Sequence, residues 1–237
     1  MKYRNAFVGV ALVAFLAGGV VLMRLRQPAE NLAGVKKQEQ IFKARGPVDA
    51  PVQIIEYSDF ECPACQRAQA SLHKILETYP EKIHIVFRHF PLPAHRWSPL
   101  AHVAAECAAR KGKFWEFHDQ LYGLQQIWSK APNPLENFLQ YASSIGLNLE
   151  PFAQCLTDQE MQRTVLADKK SGDGLQVNST PTFFINNQRL VGPIDLEQKG
   201  EAAIRSILGL PPLPPSPIPS AAPPSVPSPA APPNPQK

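Results

Sequence analysis

Residues 52–65 read VQIIEYSDFECPAC, an apolar run that leads into two cysteines separated by two residues. The stretch that follows, residues 64–79, repeats its apolar side chains at helical spacing. Cys62 is therefore predicted at the first turn of a helix, where unpaired backbone N–H groups and the helix dipole stabilise a thiolate. Cys65 lies one turn on, within disulfide reach, and Pro63 suits the first helical position because it has no N–H to leave unpaired. The pattern predicts a redox-active cysteine pair.

A cysteine pair at this spacing can also bind structural zinc, attach haem or form an inert disulfide, and the first two uses require further residues. Structural zinc usually takes four Cys or His ligands, and the remaining cysteines, Cys107 and Cys155, stand alone and far apart. Covalent haem needs histidine after the second cysteine, where this chain has Gln66. The six histidines are dispersed along the chain, a pattern that does not favour a metal site. An inert structural disulfide is the alternative that the spacing alone leaves open.

Residues 179–186 read STPTFFIN, a proline leading a β-favouring segment. Proline cannot donate to a β ladder, so at the first residue of a strand it marks a special position. FECPAC at residues 60–65 together with STPTFFIN resembles the DsbA-like branch of the thioredoxin superfamily, whose members are periplasmic or membrane-tethered thiol:disulfide oxidoreductases. The stretches VFRHFPL at 86–92, GKFWEFHDQLY at 112–122, AAECA around Cys107 and FAQCL around Cys155 resemble the same branch in the same order.

This resemblance implies roles for individual residues. Cys62 would be the nucleophile and Cys65 the thiol that resolves its mixed disulfides. Pro181 would follow a cis peptide beside the pair, with Thr180 before it, and the two would line the client groove. Glu56 matches the acidic residue that the superfamily places beneath the active site, where burial raises the pKa of a carboxyl and lets it accept the proton of the second thiol. A solvated carboxylate at the strand end is the alternative for Glu56.

The resemblance also implies the fold, an α/β thioredoxin fold with an all-helical insertion at about residues 98–172. It supports a bridge between Cys107 and Cys155 inside that insertion, and two buried free thiols are the alternative. Apolar periodicity predicts strands over 52–57 and 83–87 in a parallel β-α-β unit, helices over 100–111, 113–123, 135–145 and 152–168, a hairpin of 183–186 and 190–191, and a helix over 195–208.

Composition divides the 237 residues into four segments. Residues 7–23 are apolar with basic residues on both sides, so residues 1–26 are predicted to be an uncleaved transmembrane signal anchor, or else a signal peptide. Residues 27–40 read as a linker and 41–209 as the DsbA-like domain. Residues 210–237 are predicted to be a disordered tail, because 13 of the 27 residues from Pro211 onward are prolines. A net charge of +4 without a recognition motif does not favour nucleic acid as a partner.

Together with the resemblance, these features predict an extracytoplasmic thiol:disulfide oxidoreductase, held at a bacterial membrane by its N-terminal helix, or soluble in the periplasm if that segment is cleaved. Its partners would be client proteins with thiols or disulfides and a membrane redox protein related to DsbB or to vitamin K epoxide reductase. No metal, nucleotide or flavin is implied, because the disulfide is itself the redox group. A disulfide-forming oxidase is favoured. The alternatives are a reductase or isomerase, and a non-catalytic holdase or copper(I)-binding thiol protein.

The residues around Cys62 also bear on oxidising strength. Ala64 supplies no charge between the cysteines, and the Glu61 carboxylate should oppose a neighbouring thiolate. We therefore expect the helix N-terminus to lower the pKa of Cys62 only moderately.

Overall fold

A five-stranded mixed sheet organises the structure, a computed structural model that describes residues 41–213. Its spatial order is β1-β3-β2-β4-β5. Strands β2 and β3 are parallel, and the other three pairings are antiparallel. The strands are β1 (Ala44–Arg45), β2 (Val52–Ser58), β3 (Ile83–His89), β4 (Thr182–Ile185) and β5 (Gln188–Val191).

Helices connect β2 to β3 and fill the long excursion between β3 and β4. Helix α1 (Pro63–Thr78) makes the predicted crossover between the parallel strands. The excursion contains α2 (Ser98–Ala109), α3 (Phe114–Gly123), α4 (Gln125–Trp128), α5 (Leu135–Ser144), α6 (Leu149–Cys155) and α7 (Gln159–Gly174). After β5 come α8 (Gly192–Asp195), a π-helical turn (Leu196–Gly200) and α9 (Glu201–Ile207). The predicted α/β fold with an all-helical insertion is confirmed.

Helix α1 contributes to two large apolar cores. On one side, Val52 and Ile54 pack with Leu72 and Ile75 of α1. The other core belongs mostly to the helical insertion and takes in Phe60, directly after β2. Each buried side chain of this size contributes about 1.5–3 kcal/mol to folding. The cysteines are thus anchored in one core, and the helix that follows them is anchored in the other.

Some predicted boundaries were wrong. The single helix expected over 152–168 is two helices, α6 and α7, because Asp158 begins a new one by accepting a hydrogen bond from the Glu160 N–H. The last helical segment begins at Gly192 rather than Asp195. Strand β1 and helix α4 were not expected, since two and four residues show no periodicity.

Several predicted segments lie outside the described residues. These are the N-terminal anchor at 1–26, the linker at 27–40 and residues 214–237 of the proline-rich tail. Between residues 41 and 213, no helix combines the length and the hydropathy needed to span a bilayer.

Candidate active site

Cys62 is the residue at which α1 begins. Its carbonyl accepts the first helical hydrogen bond, from the Gln66 N–H at 3.2 Å, and Pro63 occupies the first helical position as predicted. The Cys65 thiol, by hydrogen bonding to Cys62, lowers the pKa of Cys62 to about 5; burial opposes this, and Thr180 and the backbone N–H groups of Ala64 and Cys65 lower it further. The helix N-terminus contributes as expected, but the pKa of Cys62 falls further than the moderate lowering that we expected, because the second cysteine has the larger effect.

The pKa of Cys65 shifts in the opposite direction from that of Cys62. It is fully buried, and its sulfur accepts a hydrogen bond from the Asp59 N–H at 3.4 Å. Burial raises the pKa of Cys65 well above its ordinary value, and the hydrogen bond and charge of Cys62 raise it further. Both cysteines are unbridged here. The pair therefore consists of a thiolate and a thiol at neutral pH, which is the distribution that thiol–disulfide exchange uses.

The second motif lies beside the first. The peptide between Thr180 and Pro181 is cis, and the sulfur of Cys62 is 3.6 Å from the Thr180 carbonyl oxygen. Strand β4 brings it there, because Thr182 pairs with Tyr57 at the end of β2. The two sequence motifs therefore form one site.

Glu56 lies within β2 and is fully buried, which excludes the solvated alternative. Burial raises the pKa of its carboxyl to about 7, although hydrogen bonds from Ser58 and Gln69 act against the rise. Gln69 Nε2 is 3.1 Å from the carboxylate and 3.4 Å from the Cys65 carbonyl oxygen, so one side chain touches both the acid and the cysteine helix. A group with this pKa can exchange a proton near neutral pH.

Asp59 is a central residue to which the sequence analysis gave no role. One carboxylate oxygen accepts hydrogen bonds from the Glu61 N–H at 2.8 Å and the Ser98 hydroxyl at 2.7 Å. The other accepts from the Leu92 N–H at 2.7 Å and from His95 Nδ1 at 2.8 Å. Asp59 therefore joins the cysteine loop to the segment between β3 and α2. A carboxylate three residues before the first cysteine is the only signal that the sequence offers for it.

The helical insertion also holds the cysteine loop, through residues that the sequence analysis did not single out. Gln125 in the short helix α4 donates to the carbonyl oxygens of Phe60 at 2.7 Å and Cys62 at 3.0 Å. The Tyr122 hydroxyl is 2.9 Å from that of Ser58. These buried contacts span more than sixty residues of sequence, so the loop cannot move without disturbing the insertion.

The other two cysteines lie away from this site. Cys107 in α2 and Cys155 at the end of α6 form a disulfide, with 5.9 Å between their Cα atoms and a separation of 48 positions in sequence. The histidines are less dispersed than the sequence suggested, since His89 and His102 are in contact at 2.7 Å. Within residues 41–213, no group of three or more His, Cys, Asp or Glu side chains is arranged to hold a metal ion.

Comparison with known sequences agrees with this architecture. A sequence model of a family described as thioredoxin matches residues 38–203. The Na⁺/H⁺ antiporter NhaA 3 of Salinispora tropica is 37% identical over 161 residues, which are 68% of this chain and 24% of that protein. The chain thus spans about a quarter of the length of this curated relative, and antiport is a property of the relative.

Solved structures share the fold. The crystal structure of α-DsbA1 from Wolbachia pipientis is similar with a TM-score of 0.63 and 23% identity, over 70% of this chain and 90% of that one. A thioredoxin-like oxidoreductase from Silicibacter pomeroyi is similar with a TM-score of 0.60 and 22% identity, over 73% of this chain and 98% of that one. At these identities the likeness concerns the fold.

Proposed function

Since the chain belongs to the thioredoxin family and folds like the DsbA-like oxidoreductases, we propose that it exchanges a Cys62–Cys65 disulfide with the thiols of client proteins, acting as a disulfide-forming oxidase. The observation that carries this proposal is the contrast between two neighbouring sulfurs. The pKa of Cys62 is lowered to about 5, whereas the pKa of Cys65 is raised by burial. No redox cofactor is needed for this chemistry, because the disulfide accepts the two electrons.

The reaction begins from the disulfide. A client thiolate attacks the sulfur of Cys62, the Cys62–Cys65 bond breaks, and Cys65 leaves as a thiolate that takes up a proton. A second client thiolate then attacks the client sulfur of the mixed disulfide. Cys62 leaves as a thiolate, the client holds a new disulfide, and the enzyme pair is reduced by two electrons. A low pKa makes Cys62 a good leaving group in this last step, which favours the oxidising direction.

Glu56 is proposed as the proton partner of Cys65. Its carboxyl titrates near pH 7 inside the protein and is linked to the cysteine helix through Gln69. It can give a proton to the Cys65 thiolate as it leaves and take the proton back when the disulfide re-forms. Burial disfavours a charge on either group, so passing one proton between them avoids two buried charges.

Thr180 and Pro181 are proposed to hold the client. The Thr180 carbonyl is next to the sulfur of Cys62, and the proline directly before β4 leaves backbone groups at the edge of the cysteine site. An extended client segment can pair with such an edge through main-chain hydrogen bonds. This places the client cysteine beside Cys62 rather than beside the buried Cys65.

We propose an extracytoplasmic location, with residues 1–26 as the membrane anchor. The disulfide between Cys107 and Cys155 supports it, because such bridges persist in oxidising compartments. A membrane protein related to DsbB or to vitamin K epoxide reductase would re-oxidise Cys62 and Cys65 after each turnover.

Trapping of mixed disulfides tests the mechanism. In Cys65→Ser the Cys62 thiolate can still attack a client disulfide, but the thiol that would displace the client and re-form the Cys62–Cys65 disulfide is missing, so client adducts on Cys62 should accumulate on non-reducing gels. Cys62→Ser should abolish them. The matched control adds Cys107→Ser and Cys155→Ser to the Cys65→Ser variant. The adducts on Cys62 should accumulate as before. Adducts that persist without Cys62 would refute the assignment of the nucleophile.

A further inference from the structure

We propose that His95, held by Asp59, supplies the positive charge that the residues between the two cysteines lack, and that it is a positioning residue that sets the redox potential of the pair. The inference rests on the proposed exchange at Cys62 and Cys65, and it adds a residue from a different segment of the chain. The peptide carrying His95 lies between β3 and α2, more than thirty residues from Cys62.

Asp59 is in direct contact with both cysteines. Asp59 is fully buried, and its main chain touches both cysteines: its carbonyl accepts the Cys62 N–H at 3.1 Å, and its N–H donates to the sulfur of Cys65 at 3.4 Å. A buried carboxylate on a residue whose main chain bonds both cysteines is unfavourable for a Cys62 thiolate, because like charges repel strongly where water is excluded. The thiolate therefore needs a cation near Asp59.

His95 is the imidazole bonded to that carboxylate. Its Nδ1 donates to Asp59 at 2.8 Å, and its side chain is 21% exposed, whereas Asp59 is inaccessible. The hydrogen bond that His95 donates to Asp59 raises the pKa of His95 above its ordinary value against the effect of burial, and the charges of Asp59, Cys62 and Glu61 add to the rise. Because the interaction of two charges is mutual, a thiolate that favours protonated His95 is itself favoured by it.

The second imidazole near Asp59, that of His102, differs from His95 in its distance from the carboxylate and in its exposure to solvent. His102 Nε2 is 3.8 Å from the carboxylate, beyond hydrogen-bonding distance, and the ring is fully buried. Its Nδ1 meets Nδ1 of His89 at 2.7 Å, and His89 Nε2 meets the Glu106 carboxylate at 3.1 Å. A carboxylate only accepts, so neutral His89 donates to Glu106 and must accept from His102. His102 also lowers the pKa of the Asp59 carboxyl, but its ring is enclosed in the interior, so His95 is the partner of Asp59 that solvent protons reach.

The remaining charged groups of the region have their own partners. Glu61 accepts the Trp97 N–H at 2.6 Å, and Arg96 stacks on the Trp97 ring at 4.4 Å. Further inside, the Glu106 carboxylate is 3.0 Å from Lys43, and Asp168 pairs with both Lys43 and Arg88. The Tyr122 hydroxyl approaches the Asp59 carbonyl at 3.5 Å. Among the described residues, no other cation is hydrogen-bonded to Asp59.

A substitution of His95 can remove its positive charge while keeping its hydrogen bond to Asp59. His95→Gln keeps an N–H donor for Asp59 but removes the positive charge. The Cys62 thiolate should then be less stable, so the acid dissociation constant of Cys62 should fall about three- to tenfold, and the equilibrium with glutathione at pH 7 should shift by the same factor towards the disulfide. A tenfold shift corresponds to a potential about 30 mV more negative. At alkaline pH, once the wild-type imidazole has lost its proton, the difference should disappear.

The experiment uses the full chain. The pKa of Cys62 is measured from its thiolate absorbance and from its alkylation rate. The equilibrium with glutathione is measured across the same range of pH. His73→Gln is the matched control, since His73 is an exposed imidazole on the cysteine helix itself. It should behave as the wild type. Thermal unfolding of each variant verifies that the fold is retained.

Two results would overturn the inference: an unchanged pKa of Cys62 in His95→Gln, or a shift of the glutathione equilibrium that stays the same at all pH values, which would indicate a purely structural contact. Failure of the proposed function gives a different result, because the wild-type pair would then not equilibrate with glutathione at all. The titration of Cys62 needs no exchange activity, so it tests the role of His95 in either case.

Discussion

The Cys62–Cys65 pair and the Cys107–Cys155 pair have the same atoms but different surroundings. The first occupies one helix turn, with backbone N–H groups, a buried acid and a carbonyl oxygen around its sulfurs. The second joins two helices of the insertion across 48 residues. The first arrangement changes the relative stability of thiolate, thiol and disulfide, whereas the second restrains the chain. What faces a sulfur, rather than the presence of two cysteines, decides between redox chemistry and structural support.

Removing the structural bridge should give the largest effect on stability. Replacing Cys107 and Cys155 by alanine frees a closed loop of 48 residues in the unfolded chain. The chain-entropy relation then gives a loss of about 4 kcal/mol in the free energy of unfolding. Denaturant titration under non-reducing conditions measures it, and the rate of exchange at Cys62 should be unchanged.

A matched comparison sharpens this prediction. Replacing Cys62 and Cys65 by alanine removes a bridge of only one helix turn, so the entropic loss should be much smaller while exchange disappears. If instead the Cys107 and Cys155 variant lost exchange activity while remaining folded, the division of labour between the two pairs would be wrong.

The buried acid should give the next effect. The pKa of Glu56 rises from 4.5 to about 7 on folding, so the folded state prefers its protonated form. Its contribution is fully favourable below pH 4.5 and is lost as pH rises through 7. Glu56→Gln should therefore raise the free energy of unfolding by up to about 3 kcal/mol at pH 8 and change it little at pH 4.

The same substitution, Glu56→Gln, should slow disulfide exchange although it raises stability. Without a proton acceptor for Cys65, the resolution of mixed disulfides at pH 8 should slow by about tenfold or more. Gln69→Ala, which removes the amide bonded to Glu56 but keeps the acid, is the control and should resolve adducts faster than Glu56→Gln. Equal stability of Glu56→Gln and wild type at both pH values would exclude a buried, protonated carboxyl at this position.

Much of the fold could be predicted from the sequence, because its decisive signals are local. The cysteine spacing, Pro63 and the apolar period of α1 all lie within one continuous segment. Thr180 and Pro181 stand before a β-favouring segment, and the resemblance to a known family connected them to the cysteines. Register with β2 then brings Thr182 beside Tyr57 without any further signal.

The parts that could not be predicted depend on tertiary contacts. Asp59 is an ordinary carboxylate in the sequence, and its importance arises from four donors: Glu61 in its own loop, and Leu92, His95 and Ser98 more than thirty residues away. Gln125 likewise holds the cysteine loop from a four-residue helix with no periodicity. The break between α6 and α7 was missed because the apolar pattern continues across it, and only the cap at Asp158 marks it.

The equilibrium potential of the Cys62–Cys65 couple, measured in the full chain against glutathione at pH 7, tests the central claim most directly. A Cys62 pKa of about 5 lies between about 7 for thioredoxin and about 3.5 for DsbA. A lower pKa stabilises the reduced pair, so the potential should lie between about −270 mV for thioredoxin and about −120 mV for DsbA. A potential more negative than about −270 mV, or a pair that does not exchange with glutathione, would contradict a disulfide-forming oxidase.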